Sequence, residues 1–154
     1  MNNKLGKSTQ ILSGTKVLEI STDVSGAFAG RLLSIYGADV ITVEPAKGHP
    51  TRYESVWSDD KNPENSTMFA YLGSGKRSIQ LDLQDKNQIS YLNKLALNSD
   101  VVIENYPPGF LKKCGFDVDQ IGADFPDLTI CHISSFGQTG PNVHWKTTAL
   151  TAAA

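Results

Sequence analysis

Short apolar runs that alternate with helical patterns constrain the fold of this chain more than any other feature. The run KVLEI at Lys16–Ile20 and the run DVITV at Asp39–Val43 indicate two buried strands. The residues between them, Val24–Tyr36, follow a helical spacing. A strand, a helix and a strand within about 30 residues form a βαβ unit, in which the two strands are parallel.

The same alternation continues along the rest of the chain. We predict further strands at Ser78–Leu83, Val101–Glu104 and Leu128–Ser134, and helices at Ser66–Leu72, Lys86–Asn98, Phe110–Lys113 and Val118–Ala123. Strands that consist of apolar runs are typical of a parallel sheet covered by helices on both faces. The pattern therefore predicts a three-layer α/β fold with a mostly parallel sheet of about five strands.

The first predicted helix has an apolar face that carries Phe28, Leu32, Leu33 and Tyr36. Ser25 is the candidate N-cap of this helix, because a hydroxyl group can accept a hydrogen bond from the unpaired N–H groups of a first turn.

The composition bears on the class of partner and on the compartment. The chain has 154 residues, of which 40% are hydrophobic and 19% charged, and a formal net charge of −2. These values are typical of a globular domain and give no reason to expect nucleic acid or a membrane as partner. The sequence shows no signal peptide and no apolar run near the ~18 residues of a membrane span. Two cysteines without a CxxC spacing, Cys114 and a Cys131 expected to be buried, fit reduced thiols in the cytoplasm.

Common cofactor and metal motifs are missing from the sequence. A dinucleotide site needs Gly-x-Gly-x-x-Gly after the first strand, whereas that turn offers only Gly26 and Gly30. Glu44 occupies the position of a ribose-binding acid, so a nicotinamide-dependent oxidoreductase stays open as one alternative function. The three histidines are scattered, which predicts no metal site, and His132 in the last strand is expected to be a core histidine whose hydrogen bonds are satisfied.

Two pairs of basic residues are candidates for binding phosphate. Lys76 and Arg77 directly follow a Gly-Ser-Gly turn, where cations and nearby backbone N–H groups suit a phosphate or diphosphate. Lys112 and Lys113 lie near the end of a short predicted helix, where the helix dipole favours cations even without a ligand.

The turn that begins with Asn105 and Tyr106 directly follows a predicted strand. Asn105 can hydrogen-bond a ligand amide or base and Tyr106 can stack on a ring; alternatively, Asn105 caps the next helix. Ligands of open α/β sheets bind beyond the carboxyl ends of the strands. The candidate binding loops are therefore residues 21–25, 44–52, 105–109 and 134–141.

Taken together, these segments resemble one known family. The chain is similar to class III coenzyme A (CoA) transferases in the series VLEI, GAFAGRLLSIYGADVITVEP, KRSIQLDL, DVVIENYPPGFLKKCGF and ISSFGQTGP. That family includes carnitine and formyl-CoA transferases and α-methylacyl-CoA racemases. The resemblance implies a Rossmann-like fold that is incomplete at its carboxyl-terminal end, CoA as ligand, and an interlocked homodimer. Residues 15–154 would be the amino-terminal part of the large domain, after a flexible segment at residues 1–14.

The resemblance also assigns CoA-binding roles to six residues. Position by position, Val24 would line the site from the first βα loop, Lys76 and Arg77 would meet the nucleotide end of CoA, Asn105 and Tyr106 would lie at the adenine side, and Lys113 would supply another cation.

The sequence departs from the family pattern at three places. Ser25-Gly26-Ala27 stands where the family usually has Ala-Gly-Pro, and Gly73-Ser74-Gly75 where it usually has Asn-x-Asn. Thr148 and Ala149 occupy positions at which many members carry a Tyr-Asp or His-Asp pair. The histidine of the racemases is therefore absent, which argues against a racemase.

Family transferases use an aspartate that attacks the acyl-CoA carbonyl and forms a mixed anhydride, after which CoA passes to an acceptor acid. No aspartate in residues 1–154 matches this nucleophile, and a helical pattern begins near the last residues, so we expect the aspartate to lie beyond this sequence. The implied function is transfer of CoA between an acyl-CoA and a carboxylic acid, with this chain carrying the CoA-binding part. A non-catalytic CoA-binding or assembly module, such as a degenerate half of a tandem protein, is the other alternative.

Overall fold

The computed structural model of the chain describes residues 10–54, 62 and 66–148. In chain order, the elements are β1 (Lys16–Ile20), α1 (Val24–Ile35), β2 (Asp39–Glu44), a 3-10 turn (Pro50–Arg52), α2 (Thr67–Gly73), β3 (Arg77–Gln80), α3 (Lys86–Leu97), β4 (Val101–Glu104), α4 (Phe110–Lys113), α5 (Val118–Asp124) and β5 (Thr129–His132). The strands and helices predicted from the apolar runs are all present, most of them within two residues of the predicted ends.

The five strands form one parallel sheet in the order β3-β2-β1-β4-β5. β1 lies in the centre, where Leu18 pairs with Ile41 of β2 on one side and with Val102 of β4 on the other. The predicted α/β fold with a parallel sheet is therefore confirmed.

The core has two parts, one on each face of the sheet, because successive side chains of a strand point to opposite faces. Leu18, Ile20 and Val102 pack on one face against the helices that follow β3 and β4. Val17, Val40 and Ile103 belong to the smaller part on the other face, where α1 packs.

Helix α1 packs on the sheet mainly through small residues; of the apolar face predicted for it, Leu33 packs against the core and the other three residues do not. Phe28, Leu32 and Tyr36 are 40%, 40% and 53% exposed, whereas Gly26, Ala27 and Gly30 are buried. The prediction that Ser25 is the N-cap is also wrong. Asp23 is the N-cap, because its carboxylate accepts hydrogen bonds from the backbone N–H groups of Ser25 and Gly26.

Two strands at the edges of the sheet differ from their predictions. β3 ends at Gln80 instead of Leu83, because the next residues turn and the Asp82 carboxylate accepts a hydrogen bond from the backbone N–H of Gln84 at 2.9 Å. Cys131 is exposed, not buried as predicted, because β5 is the outer strand of the described sheet.

Some predictions fall partly or wholly outside the described residues. These are the first nine residues of the predicted flexible segment, Ala149, and the carboxyl-terminal helical pattern. The domain boundary at residue 15 stays a prediction. In the described part of the chain, no helix combines the length and the apolar character needed to cross a membrane.

The close packing of α1 predicts that Gly30 tolerates no side chain. A Cβ atom at Gly30 would lie 1.9 Å from the Glu19 Oε2 atom, beneath the helix. We therefore expect Gly30→Ala to lower the free energy of unfolding by about 1–3 kcal/mol, as over-packing of a core does. Urea denaturation measures this change.

Gly73→Ala is the matched control. The three atoms nearest to its added Cβ all belong to the Phe69 ring, at ordinary contact distances of 3.4–3.7 Å. We expect this variant to unfold within about 0.5 kcal/mol of the unchanged protein. Equal losses of unfolding free energy in the two variants would show that contact with the Glu19 side chain is not the cause of the loss in Gly30→Ala.

Candidate functional site

An open cleft of ≈ 860 Å³ lies where the strand order changes direction. Following β1, the chain moves outward to β2 and β3, whereas β4 and β5 lie on the other side of β1. The loops after β1 and β4 therefore diverge and leave a crevice beyond the carboxyl ends of these strands. Three of the four predicted loops contribute. The lining residues are Asp23, Ser25, Asn105, Tyr106, Pro107, Pro108, Ile133, Ser134, Ser135, Phe136, Val143, His144, Trp145, Lys146 and Thr147.

Asn105 joins the two sides of this cleft. Its Oδ1 atom accepts a hydrogen bond from the backbone N–H of Thr22 at 2.8 Å, and its Nδ2 atom donates to Asp23 Oδ1 at 2.5 Å. Asn105 does not cap α4, whose N-cap is Gly109. The amide of Asn105 therefore fixes the loop after β4 to the loop after β1, within the lining of the cleft.

The N-terminus of α1 already holds a carboxylate. Asp23 Oδ1 accepts hydrogen bonds from the backbone N–H of Ser25 at 2.8 Å and from that of Gly26 at 3.4 Å. In dinucleotide-binding folds the cofactor diphosphate binds at this helix end. A negative side chain in that place repels a diphosphate, so the structure argues against the nicotinamide-dependent alternative.

Tyr106 lines the cleft, and its ring is stacked on the ring of Phe110. Its ring lies 4.9 Å from that of Phe110, centroid to centroid, at an interplanar angle of 8°. Burial raises the pKa of the Tyr106 hydroxyl, and the nearby Cys114 acts in the same direction. The hydroxyl therefore stays protonated at neutral pH and can donate a hydrogen bond.

Lys76 lies inside the protein, not at the surface. Its Nζ atom donates to Glu19 Oε2 at 2.6 Å and to the backbone oxygen of Ala27 at 2.8 Å, and its side chain is 3% exposed. Burial lowers the pKa of Lys76, although the Glu19 carboxylate partly offsets this effect. The two donated bonds direct its ammonium inward, towards Glu19 and α1.

The other predicted cations and Val24 are accessible. Arg77 forms a two-bond ion pair with Asp39, at 2.9 and 2.6 Å, and 63% of its side chain is exposed. Lys113 is exposed on α4 and has no ion-pair partner among residues 10–54 and 66–148. Val24 is 39% exposed and is flanked by Asp23 and Ser25 of the cleft. Arg77 and Lys113 are not among the residues that line the cleft.

A second, smaller cavity of ≈ 170 Å³ lies beside Lys76. Its polar groups are linked one to the next by hydrogen bonds. The backbone N–H of Thr51 donates to His49 Nδ1 at 3.3 Å, so the proton of the neutral ring is on Nε2, which faces Ser21 Oγ at 3.2 Å. Ser21 in turn donates to Glu19 Oε1 at 2.8 Å. Burial lowers the pKa of His49 despite the neighbouring Glu19 and Glu44 carboxylates, which fits a neutral imidazole.

Glu44 holds the 3-10 turn against the end of β2. Its carboxylate accepts hydrogen bonds from the backbone N–H of His49 at 2.8 Å and from Arg52 at 2.7 and 3.0 Å. Burial alone would raise the pKa of Glu44, but these bonds and one from Ser78 bring it below its usual value. Because Arg52 is bound to the Glu44 carboxylate, Glu44 holds this turn and is not available to bind a ribose.

Sequence reasoning missed this polar cluster under α1. Glu19, Ser21, Glu44 and His49 are each no more than 1% exposed. A carboxylate inside the apolar run KVLEI was the available signal, because a buried acid needs a partner. Among the described residues, no group of histidine, cysteine and acidic side chains could hold a metal ion.

Comparison with known proteins identifies the family. The model of CoA-transferase family III matches residues 12–154. The chain is 35% identical over 131 residues to a succinyl-CoA–D-citramalate CoA-transferase of Chloroflexus aurantiacus, covering 84% of this chain and 32% of that protein. It is 38% identical over 134 residues to a succinate–glutarate CoA-transferase of Agrobacterium fabrum, covering 84% and 34%. A solved structure, a CAIB/BAIF family protein from Brucella suis, matches with a TM-score of 0.81 and 34% identity over 93% of this chain and 38% of that one.

The fold, the cleft at the change of strand order and the family match define the class of protein. The chain belongs to CoA-transferase family III. It spans about a third of the length of the relatives that it matches.

The different surroundings of Lys76 and Arg77 predict different effects of their removal. Lys76→Ala leaves the Glu19 carboxylate buried without its partner, so we expect it to lower the free energy of unfolding by about 3–5 kcal/mol. Arg77→Ala breaks an exposed pair and should cost less than about 1 kcal/mol. Urea denaturation of both variants tests this ranking. A Lys76 variant as stable as the Arg77 variant would contradict the buried ion pair.

Proposed function

We propose that this chain forms the CoA-binding part of an enzyme that transfers CoA between an acyl-CoA and a carboxylic acid. The observation that carries the proposal is the cleft at the change of strand order, in a chain that belongs to CoA-transferase family III. The cleft combines apolar side chains with a few fixed polar groups, which is the usual character of a small-molecule site.

The cations are assigned to the phosphates of CoA according to their surroundings. Arg77 and Lys113 have exposed side chains outside the lining of the cleft, and charge-assisted hydrogen bonds from such groups are the main source of phosphate affinity. Lys76 instead shapes the site from below through its bonds to Glu19 and to the backbone of α1. Its contribution to CoA binding is therefore indirect, because its ammonium is already bound to Glu19 and Ala27.

Tyr106 and Val24 are assigned to the organic part of CoA. Tyr106 offers a ring and a hydroxyl to the adenine side, and Val24 offers an apolar surface beside the loop after β1. Asn105 sets the distance between these two loops. Its own contact with the ligand would compete with the bonds that it already makes to Thr22 and Asp23.

The reaction itself is proposed by analogy with the relatives. Both relatives named above transfer CoA from or to succinate, so succinyl-CoA is the first donor to test, with dicarboxylic acids as acceptors. The interlocked homodimer that the resemblance implies and the cytoplasmic location expected from the sequence belong to the same proposal. A CoA-binding module without transferase activity is the second candidate, because Thr148 stands where many members carry an ionisable residue.

Two neighbouring lysines provide the sharpest test of the binding site. Lys113→Ala removes an exposed cation, and we expect it to weaken CoA binding by roughly tenfold or more, since a bond to a charged group contributes about 1.5–3 kcal/mol. Isothermal titration calorimetry of the purified protein with CoA measures the effect.

Lys112→Ala is the matched control, because the Lys112 ammonium is bound to Asp117 at 2.8 Å. We expect its CoA affinity to stay within about twofold of the unchanged protein. If both variants bind CoA as the unchanged protein does, α4 takes no part in phosphate binding and that assignment is wrong.

A further inference from the structure

Lys146 is a cation of the cleft that the assignment of the CoA phosphates leaves unused. Among the described residues that line the cleft it is the only lysine or arginine, whereas Arg77 and Lys113 lie outside this lining. His144 also lines the cleft, but an imidazole carries a charge only when it is protonated. The described lining therefore offers one permanent positive charge to a bound molecule.

The Lys146 ammonium is not engaged by the protein. Its side chain is exposed, and it forms no hydrogen bond or ion pair within the described part of the chain. Asp23 is the only acidic side chain of the described lining, and its carboxylate already accepts hydrogen bonds from the Ser25 backbone and the Asn105 amide. An anion in the cleft would therefore meet Lys146 without displacing a protein partner.

The residue before Lys146 places an aromatic ring in the same cleft. Trp145 is 62% exposed, and its ring meets the Phe136 ring edge to face, with 5.9 Å between the centroids and an interplanar angle of 75°. The Trp145 backbone N–H donates a hydrogen bond to the Asn142 backbone oxygen at 2.9 Å. These two contacts hold the backbone directly before Lys146 and leave the exposed part of the indole ring available to an apolar group.

We infer that Lys146 is a specificity-determining residue, which binds the free carboxylate of a dicarboxylic acyl group while Trp145 contacts its methylene chain. A dicarboxylic acid uses one carboxyl group for the thioester bond to CoA and keeps the other, which is ionised at neutral pH. A lysine beside an aromatic surface matches this combination of an apolar chain and a terminal charge. The inference rests on the proposed function, because the acyl group reaches the cleft as part of an acyl-CoA.

The phosphates of CoA are the other anions that could meet Lys146, and the character of the cleft favours the carboxylate. The segment after β5 also contributes Ile133, Phe136 and Val143 to the lining. A diphosphate carries more charge than a single carboxylate and would lose more hydration beside these apolar groups. The two exposed cations assigned to the phosphates lie outside the lining, where this cost is smaller.

Two stable thioether analogues of acyl-CoA test the inference. S-(3-carboxypropyl)-CoA and S-butyl-CoA carry chains of equal length that differ only in the terminal carboxylate. We expect the unchanged protein to bind the carboxypropyl analogue more tightly, and Lys146→Met to reduce this preference by roughly three- to tenfold, because a charge-assisted contact is lost. Lys146→Arg keeps the charge and should keep the preference. Isothermal titration calorimetry of the purified proteins measures the dissociation constants.

Lys112→Met is the matched control, because Lys112 lies outside the lining and is bound to Asp117 at 2.8 Å. The ratio of its two dissociation constants should stay within about twofold of that of the unchanged protein.

The possible outcomes separate this inference from the proposed function. Equal weakening of both analogues in Lys146→Met would assign its ammonium to the phosphates and overturn the inference alone. Equal affinity of the unchanged protein for the two analogues would overturn it as well. If neither CoA nor either analogue binds to the unchanged protein, the proposed function and this inference fail together.

Discussion

The buried ion pair between Glu19 and Lys76 is the interaction on which the rest of the structure depends. It joins the central strand to the turn before β3, and its two side chains are 0% and 3% exposed. Two charges taken out of water are costly unless each is paired and hydrogen-bonded. The chain meets this requirement with Ser21 and the backbone of Ala27, and it leaves room for the pair by placing Gly30 directly above it. The close approach of α1 to the sheet follows from this arrangement.

The position of α1 determines which groups are left for a ligand. Asp23 lies at the N-terminus of this helix, and a hydrogen bond from Asn105 connects it to the loop after β4. The Asp23 carboxylate therefore occupies the place at which dinucleotide-binding folds accept a diphosphate. In the proposed function, the phosphates of CoA are assigned instead to two exposed cations, Arg77 and Lys113. The proposed mode of nucleotide recognition therefore differs from that of the nicotinamide-dependent enzymes.

The apolar runs were sufficient to predict the strands and their parallel arrangement, because strands buried on both faces are mostly apolar, as Leu18, Val40 and Val102 are in the three inner strands. The face of α1 could not be predicted in this way, since large apolar residues at helical spacing normally mark the packed side, and here Gly26, Ala27 and Gly30 take it. The burial of Lys76 was also missed, because its partner Glu19 is distant in sequence and only the folded sheet brings the two together. His132 is hydrogen-bonded as expected, but its partner Glu104, which also accepts a hydrogen bond from the backbone N–H of Tyr106, depends on the register of β4 and β5, which the sequence does not specify.

Comparison of two ligands tests the central claim, that this member of CoA-transferase family III offers a CoA site at the change of strand order. Calorimetric titration of the purified protein with CoA and, separately, with NADH is the most direct measurement. We predict heat of binding with CoA and none with NADH, because Asp23 occupies the position at which a dinucleotide would place its diphosphate. Tighter binding of NADH than of CoA would contradict both the assignment of the cleft and the role given to Asp23.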